Sequence, residues 1–344
     1  MMTTLLMLLF CVLCMAMLTL PFVPTLREWR TPSDCSPLPI SRQHANEIDY
    51  FARQFRRDAI AEIGTKDGAI GNFDYLFDAP DKVNWPAMTR PLIALRGLHA
   101  TNPIRCRQPI FVTTDLTAPR ESSLAAVLAC GELRLGASSE ILDWGHADGA
   151  IELGPSCVAL RRLSSRTAID LAAQCCFERL QAPVIRFGLA DPAVAPPPPL
   201  AGARSELRTL PGAIRRSDDL HLIRGDCSLP PGHLYKGSLV VLGHLIVGNH
   251  TTLIGDIKVR QGAIIGAGAR IIGSLICDDR IYILDHASIA GPVVSETDIV
   301  IGSGAVIGAR DAPTTISADN LIAGCGAVSH GAVWARSVGV VWAP

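Results

Sequence analysis

Four histidines are the residues of this sequence best suited to acid–base chemistry. His146 lies in the run DWGHAD (143–148), between two carboxylates, whereas His244, His250 and His286 fall in a repetitive stretch. A histidine can take a proton from a hydroxyl or an amine near neutral pH, and His250, within VGNHTTLIG, is the candidate for such a base. The simpler interpretation of each is a hydrogen-bonded or exposed turn residue.

Other catalytic signatures and binding signals are missing from the sequence. No GxSxG, phosphate-binding loop or zinc spacing accompanies the histidines. The net charge of −1 gives no electrostatic reason to expect nucleic acid as a partner. We therefore predict no cofactor and no metal site. Six of the eleven cysteines lie in apolar, strand-like context and are predicted to be free, buried thiols: Cys130, Cys157, Cys175, Cys227, Cys277 and Cys325.

A regular repeat determines which elements must position these side chains. Gly237, Gly255, Gly273 and Gly291 are each 18 residues apart. Between them, apolar or small residues occur in pairs two apart, and the pairs recur at every sixth position. A spacing of two is the signature of a strand, because successive side chains point to opposite faces.

Three short strands in every repeat describe a three-sided solenoid. The columns that recur at one position of each repeat are consistently apolar. They include Leu239, Ile257, Leu275 and Val293; Val247, Ile265, Ile283 and Ile301; and Leu253, Ile271, Ile289 and Ile307. The sequence therefore predicts an all-β chain, a three-sided parallel β-helix with 18 residues per coil.

The same register predicts the domain boundaries. A weaker echo, with Leu133, Ile151 and Ile169 in one column, indicates a first β-helix block over 109–190. Four consecutive prolines place a loop over 191–219, and a second block follows over 220–344. The run DAPTT at 311–315 interrupts the repeat.

The amino-terminal run 1–24 is predicted to be a transmembrane helix, since it holds no charged side chain over about 20 residues. Its membrane-anchoring side chains would include Leu5, Leu8, Phe10, Leu13, Met17 and Leu20. Arg27 and Arg30 follow the run and indicate that the rest of the chain lies in the cytoplasm. The opposite topology, with the β-helix in the periplasm, remains the alternative.

Residues 25–108 are expected to form a juxtamembrane linker, a short amphipathic helix and an irregular lead-in. The helix is predicted from Ser41 to about Arg57, with Ile48, Phe51 and Phe55 on one face. It would either cover the first coil of the solenoid or lie on the bilayer surface.

The carboxyl terminus ends as SVGVVWAP without a charged capping segment. An uncapped coil presents apolar side chains and unpaired strand edges, which recruit another chain. Repeated end to end, such a contact builds a filament. The expected self-assembly contact comprises Val333, Val338, Val340, Val341 and Trp342.

The repeat resembles that of bactofilins, the polymer-forming cytoskeletal proteins of bacteria. The resemblance covers roughly 220–335 and is carried by the row starts GDI, GSL and GPV and by IIGAGARIIG (264–273) and IVIGSGAVIG (299–308). It implies a non-enzymatic, self-associating scaffold at the inner membrane, whose partners are further copies of itself, the membrane and proteins of envelope or polysaccharide synthesis.

The rival hypothesis is a hexapeptide-repeat acyltransferase, a left-handed β-helix whose coils have the same length. One side of the coil fits that repeat, as in Ile265-Gly266 with Ala269, but the other two sides carry large aliphatic residues where small ones are expected. In such an enzyme His250 would be the catalytic base.

Overall fold

A computed structural model of the chain describes residues 2–23, 48–64, 72–77, 80–188 and 203–343. The chain divides into two compact units, Met1–Glu47 and Ile48–Pro344. The larger unit is a parallel β-solenoid of about 14 turns. The all-β solenoid predicted from the repeat is therefore confirmed.

The amino-terminal unit contains helix α1 (Met2–Thr19), followed by a 3-10 turn over Leu20–Phe22. Within the described residues, no helix is both long enough and apolar enough to cross a membrane. The transmembrane prediction for 1–24 is thus not supported, although its six anchor side chains, Leu5, Leu8, Phe10, Leu13, Met17 and Leu20, are exposed in this unit.

Within the described ranges, the larger unit contains helix α2 (Tyr50–Gly64), 3-10 turns over Pro80–Lys82, Trp85–Ala87 and Leu207–Thr209, and 33 strands. The first block holds β1 (Asp74–Leu76), β2 (Leu92–Ala94), β3 (Leu98–His99), β4 (Arg105–Cys106), β5 (Ile110–Val112), β6 (Leu116–Ala118), β7 (Ser123–Ala129), β8 (Leu133–Leu135), β9 (Glu140–Ala147), β10 (Ile151–Leu153), β11 (Val158–Ala159), β12 (Arg162–Ser165), β13 (Ala168–Leu171) and β14 (Cys176–Phe187).

The second block holds β15 (Ala203–Arg204), β16 (Ala213–Arg215), β17 (Leu220–Ile223), β18 (Cys227–Leu229), β19 (His233–Lys236), β20 (Ser238–Val241), β21 (Leu245–Val247), β22 (Thr252–Ile254), β23 (Ile257–Val259), β24 (Ala263–Ile265), β25 (Arg270–Ile272), β26 (Leu275–Cys277), β27 (Ile281–Ile283), β28 (Ser288–Ile289), β29 (Val293–Ser295), β30 (Asp298–Ile301), β31 (Val306–Ile307), β32 (Thr314–Gly324) and β33 (Ala327–Trp342).

The first block begins well before residue 109, where the sequence placed its start. Strand β2 already pairs with β5 in the same period as the later coils, with Leu92 beside Ile110. The next step along the same side pairs Ile110 with Val127, one position short of that period. Because the spacing between coils changes from 18 to 17 residues here, the earlier coils do not align with the repeat, and the sequence did not reveal them. Trp85 is buried above the first coil and caps this end of the solenoid.

Helix α2 packs along one side of the first block and not over its first coil. Its small residues Ala52 and Ala59, seven positions apart, are buried against Ile93, Phe111 and Leu128, which are outward-facing residues of three successive coils. A helix is confirmed over part of the predicted range, from Tyr50, but it covers the side of the solenoid. Of the predicted apolar face, Phe55 packs against the sheet, whereas Phe51 is 47% exposed.

The second block keeps the predicted register with little deviation. Leu239, Ile257, Leu275 and Val293 stack in successive coils, and each short strand alternates buried, exposed and buried residues. In the next coil Val293 pairs with Ile316, which is five residues further along the chain than the 18-residue period would place its partner. The additional length belongs to the segment around DAPTT, where an isolated antiparallel bridge forms over 309–312, so this predicted interruption is confirmed.

Part of the predicted loop over 191–219 is an ordered cap. Strand β15 pairs with β19, and β16 pairs antiparallel with β17 at the outer end of the second block. Leu207 and Leu210 of this cap are buried in the core. The four-proline run itself, within 189–202, lies outside the described residues. A proline-rich composition indicated a loop, but it did not reveal that the following residues close the end of the coil.

The two blocks meet through an antiparallel pairing of β14 with β33, here termed the joint. The other long pairings of these two strands, β13 with β14 and β32 with β33, are parallel and join successive coils. At the joint, the last coil of the first block lies against the last coil of the second, and Leu180 pairs with Val333. The hydrophobic core continues through the joint without interruption.

All nine cysteines whose side chains are described are free thiols. Of the six predicted to be buried, Cys157, Cys175, Cys227 and Cys277 are buried, whereas the remaining two, Cys130 and Cys325, are partly exposed. Cys157 and Cys175 each donate a hydrogen bond to a backbone carbonyl of the preceding coil. They therefore behave as small core residues.

Candidate functional site

A buried polar cluster lies on the side of the first block, close to the joint. The outward positions of successive coils there are Leu128, His146, Ser164 and Gln181. Strands β9 and β12 position His146 and Ser164, each only 4% exposed. The sequence placed His146 at a coil corner, but it lies within a strand, where parallel pairing stacks it directly on Ser164.

The hydrogen bonds of the cluster run from serine through histidine to aspartate. Nδ1 of His146 lies 2.8 Å from Oγ of Ser164, and its Nε2 lies 3.5 Å from Oδ1 of Asp148. Asp148 in turn forms ion pairs of 2.8 Å with Arg56 of α2 and 3.1 Å with Arg166. This order of groups is the one in which an imidazole can activate a hydroxyl.

The environment sets the protonation states in the cluster. Burial lowers the pKa of His146 below its usual value, although Asp148 opposes that shift. Burial alone would raise the pKa of Asp148, but its hydrogen bond and charge interactions with Arg56, together with the charge of Arg166, outweigh burial, and the pKa lies below its ordinary value. At neutral pH the cluster therefore contains a neutral imidazole and a carboxylate held by two guanidinium groups.

A cavity of about 400 Å³ opens beside the cluster, between the start of α2, the first block and the 308–313 segment of the second block. Asp49, Arg166 and Arg310 are the charged residues on its wall. Asp148 is engaged by the arginines more closely than by His146, and the Ser164 side chain is almost fully buried. The geometry supports a structural role best, because the Arg56–Asp148 pair fixes α2 to the solenoid.

Asp143 does not join His146, in contrast to the arrangement suggested by the DWGHAD run. Its side chain is 58% exposed and lies 3.7 Å from Arg161. Asp143 and His146 are three positions apart, an odd spacing that puts two side chains on opposite faces of a straight strand. The pairing of β9 is also irregular between Ile141 and Trp144, next to residue 143. Only one of the two flanking carboxylates therefore contributes.

The three histidines of the second block that the sequence singled out, His244, His250 and His286, are separated from one another and exposed. His250 and His286 occupy corners with positive φ, and their rings lie over Gly268 and Gly304 of the following coils. His244 lies at another corner, 3.4 Å from Asp226. None of the three lines the cavity beside His146 or the cavity at the outer end of the second block. Nothing in this geometry favours His250 as a catalytic base.

The residues expected to form an end-to-end contact belong instead to the joint. Val333 and Val341 are fully buried, and the N–H of Val341 donates to the carbonyl of Cys175. Val340 lies opposite Cys176. Of the five residues, only Val338 and Trp342 remain exposed, at 40% and 62%. The sequence predicted an uncovered last coil, but the first block of the same chain covers it.

An exposed apolar column, here termed the stripe, runs across both blocks on one face and was not predicted from the sequence. Its members occupy the outward position of successive coils and stack in register. They are Ile246, Ile264, Tyr282, Val300, Ile322, Val340, Cys176 and Val158. The first four already share one column of the 18-residue repeat, so the sequence could have predicted an apolar column on the outside of the solenoid.

The comparisons with known proteins do not assign this chain to a family. Neither models of protein families, nor curated proteins, nor solved structures gave a match. The function of the chain must therefore be inferred from the solenoid and its surfaces.

Proposed function

We propose that this protein is a self-associating β-solenoid scaffold whose copies pack side by side through the stripe. The observation that carries the proposal is the exposure of this column. Ile246, Ile264, Tyr282 and Ile322 are between 37% and 47% exposed, and the other four members are half-buried. On the first block, by contrast, α2 covers the outward apolar column of another side. No described segment covers the stripe in this way.

A second copy of the chain is the occupant that fits the stripe. The eight residues carry no charge, and their spacing of about 4.8 Å is the same in any copy. Two stripes can therefore face each other about a twofold axis with their side chains interleaved and no like charges opposed. Leu284 and Trp342, exposed at 41% and 62%, flank the column and extend the apolar surface.

The size of the stripe indicates a weak contact. Eight strands span about 34 Å, and a width of about 10 Å gives roughly 350 Å² per partner, less than the ~800 Å² of a standard interface. Association through one stripe should therefore depend strongly on concentration. The 203–216 segment caps the outer end of the second block, and the joint closes the inner ends of both blocks, which favours lateral over end-to-end packing.

The resemblance to bactofilins supplies the expected role of such an assembly. A scaffold of this kind would hold proteins of envelope or polysaccharide synthesis on the faces that self-association leaves free. The acyltransferase hypothesis has no comparable support, since His250 lies at an exposed corner away from both cavities.

Sedimentation velocity and negative-stain microscopy of the full-length chain, without nucleotide, test the proposal. We expect the wild-type protein to form larger species as its concentration rises, and a variant carrying both Ile264→Glu and Ile322→Glu to remain monomeric. Ile276→Glu is the matched control, because Ile276 is equally exposed, at 39%, on a neighbouring face. A wild-type monomer at every concentration, or association unaffected by the double substitution, would contradict the proposal.

A further inference from the structure

A second cavity, of about 490 Å³, lies at the outer end of the second block. The capping segment forms one wall, with β15, the Leu207–Thr209 turn and β16. The first coil of this block forms the other, with β17 and β19. The volume falls within the ~300–1,000 Å³ usual for small-molecule sites. The cavity is thus a space between two ordered elements, at the end of the block away from the joint.

Positive charge predominates around this cavity. Four cationic side chains line it, together with two carboxylates: Arg204, Arg208, Arg215, Lys236, Glu206 and Asp218. Glu206 pairs with Arg208, and Asp218 pairs with Arg215. Among the described residues, Arg204 and Lys236 have no carboxylate partner. The cavity wall therefore offers a guanidinium and an ammonium group that are not neutralised by their neighbours.

A buried histidine in the wall has an unsatisfied ring nitrogen. His221 of β17 is 7% exposed and lines the cavity. Its Nδ1 has no hydrogen-bond partner among the described residues. A buried ring nitrogen without a hydrogen bond is unfavourable. An oxygen atom of a ligand in the cavity could form that hydrogen bond. Nearby, Oγ of Ser205 lies 2.7 Å from Nδ1 of His233, which orders the opposite wall.

We propose that this cavity binds the oxyanion of a small organic ligand, and that the ligand is a phosphate ester. A phosphate group presents several oxygens, which can accept at once from the Arg204 fork, the Lys236 ammonium and the imidazole of His221. A bare phosphate would leave much of the volume empty, whereas an attached sugar or similar group would fill it. Leu207 and Leu234 supply an apolar wall for that group.

Isothermal titration calorimetry of the full-length protein at constant ionic strength tests this site. The probes are inorganic pyrophosphate, glucose 1-phosphate, glucuronate and glucose. We expect saturable binding of the two phosphate compounds and none of glucose, with Arg204→Gln and Lys236→Gln each weakening it by about fivefold or more. Arg216→Gln is the matched control, because Arg216 is an exposed neighbour that does not line the cavity, and it should leave the affinity unchanged.

Two results would overturn the inference. Absence of saturable binding of every anionic probe would remove the site, and an equal loss in Arg216→Gln and Arg204→Gln would reduce it to diffuse surface charge. Glucuronate binding as tightly as glucose 1-phosphate would overturn the assignment to phosphate. A readout that needs no substitution is the ¹⁵N resonance of His221 Nδ1, which should shift when glucose 1-phosphate is added and stay unchanged with glucose.

Discussion

Stacked glycines form one corner of the second block. Gly237, Gly255, Gly273 and Gly291 lie one above another, and in the last three a Cβ would overlap the carbonyl oxygen of the glycine in the preceding coil. The coils approach this closely because their backbones hydrogen-bond directly at the corner, as Gly291 does with Gly273. Glycine therefore recurs every 18 residues because the corner has no room for a Cβ atom.

Gly273→Ala is expected to destabilise the protein by about 2–4 kcal/mol, because the added methyl group must push two coils apart. Gly225→Ala provides the control, since Gly225 lies in the same block with open space around it and should change stability little. Urea unfolding of both variants measures the difference. Equal midpoints for the two would show that the corner can absorb a Cβ.

The stability of the protein should depend on pH through His146. Because burial lowers the pKa of folded His146 below the unfolded value of about 6.5, the unfolded state binds this proton first as the pH falls. Stability should therefore decrease from about pH 7.5 to about pH 5.5. In His146→Gln this decrease should be smaller than in the wild type. Unfolding midpoints at the two pH values provide the measurement.

At the scale of elements, α2 is held by close contact and by one ion pair. Ala52 and Ala59 let the helix approach the sheet closely, and the Phe55 ring contacts Trp144 with centroids 5.6 Å apart. Arg56 adds a charged contact to Asp148. The helix thus covers a side whose outward apolar column would otherwise be exposed.

Ala59→Leu should destabilise the packing of α2 by about 1–3 kcal/mol, because the helix has no room for three more carbon atoms at a fully buried position. Ala61→Leu, at an exposed position of the same helix, serves as the control. Hydrogen exchange of the α2 amides should increase in the first variant only. Unchanged protection in Ala59→Leu would indicate that α2 is not packed against the sheet as described.

The joint can be tested as an element by crosslinking. Cys176 and Val340 are paired across antiparallel strands, where Cα atoms lie about 4.5–5.5 Å apart, a distance suitable for a disulfide. Oxidised Val340→Cys should therefore lose two thiols and remain a monomer on a non-reducing gel. Val300→Cys, about 14 Å away along the stripe, should not crosslink. A covalent dimer of Val340→Cys that persists when Ile264→Glu and Ile322→Glu block packing through the stripe would mean that β14 and β33 pair between two chains.

The larger unit, Ile48–Pro344, combines two solenoid blocks whose coils progress in opposite directions. The first block proceeds from its Trp85 cap to the joint, and the second proceeds from the 203–216 cap to the same joint. The described chain therefore stops at Gly188, next to the joint, and resumes at Ala203, at the far end of the second block. The last coils of the two blocks are buried against each other, which removes the open end on which filament growth had been expected.

Cleavage within 189–202 should leave the molecule assembled, because the joint holds the two blocks without the connecting chain. A protease site inserted near residue 195 allows the test. After cutting, the two pieces should co-elute on size exclusion and separate only in denaturant. The same site inserted near residue 243, within the coils of the second block, is the control and should resist cutting in the folded protein. Separation of the pieces after cleavage near 195 would contradict an intrachain joint of this strength.

The parallel β-solenoid could be predicted from the sequence, because side-chain alternation and the glycine corners are local and recur in every coil. A helix before the coils could also be predicted, but its buried face is formed by Ala52 and Ala59, and the predicted face residue Phe51 is exposed. The structure was needed to show that the first block covers Val333 and Val341, because β14 and β33 are far apart in sequence. It was also needed to show that His221 faces a cationic cavity, because the 203–216 segment that forms the other wall does not carry the repeat. His146 and Ser164 are one 18-residue period apart, but the sequence placed His146 at a corner, and only the structure showed that it lies within a strand.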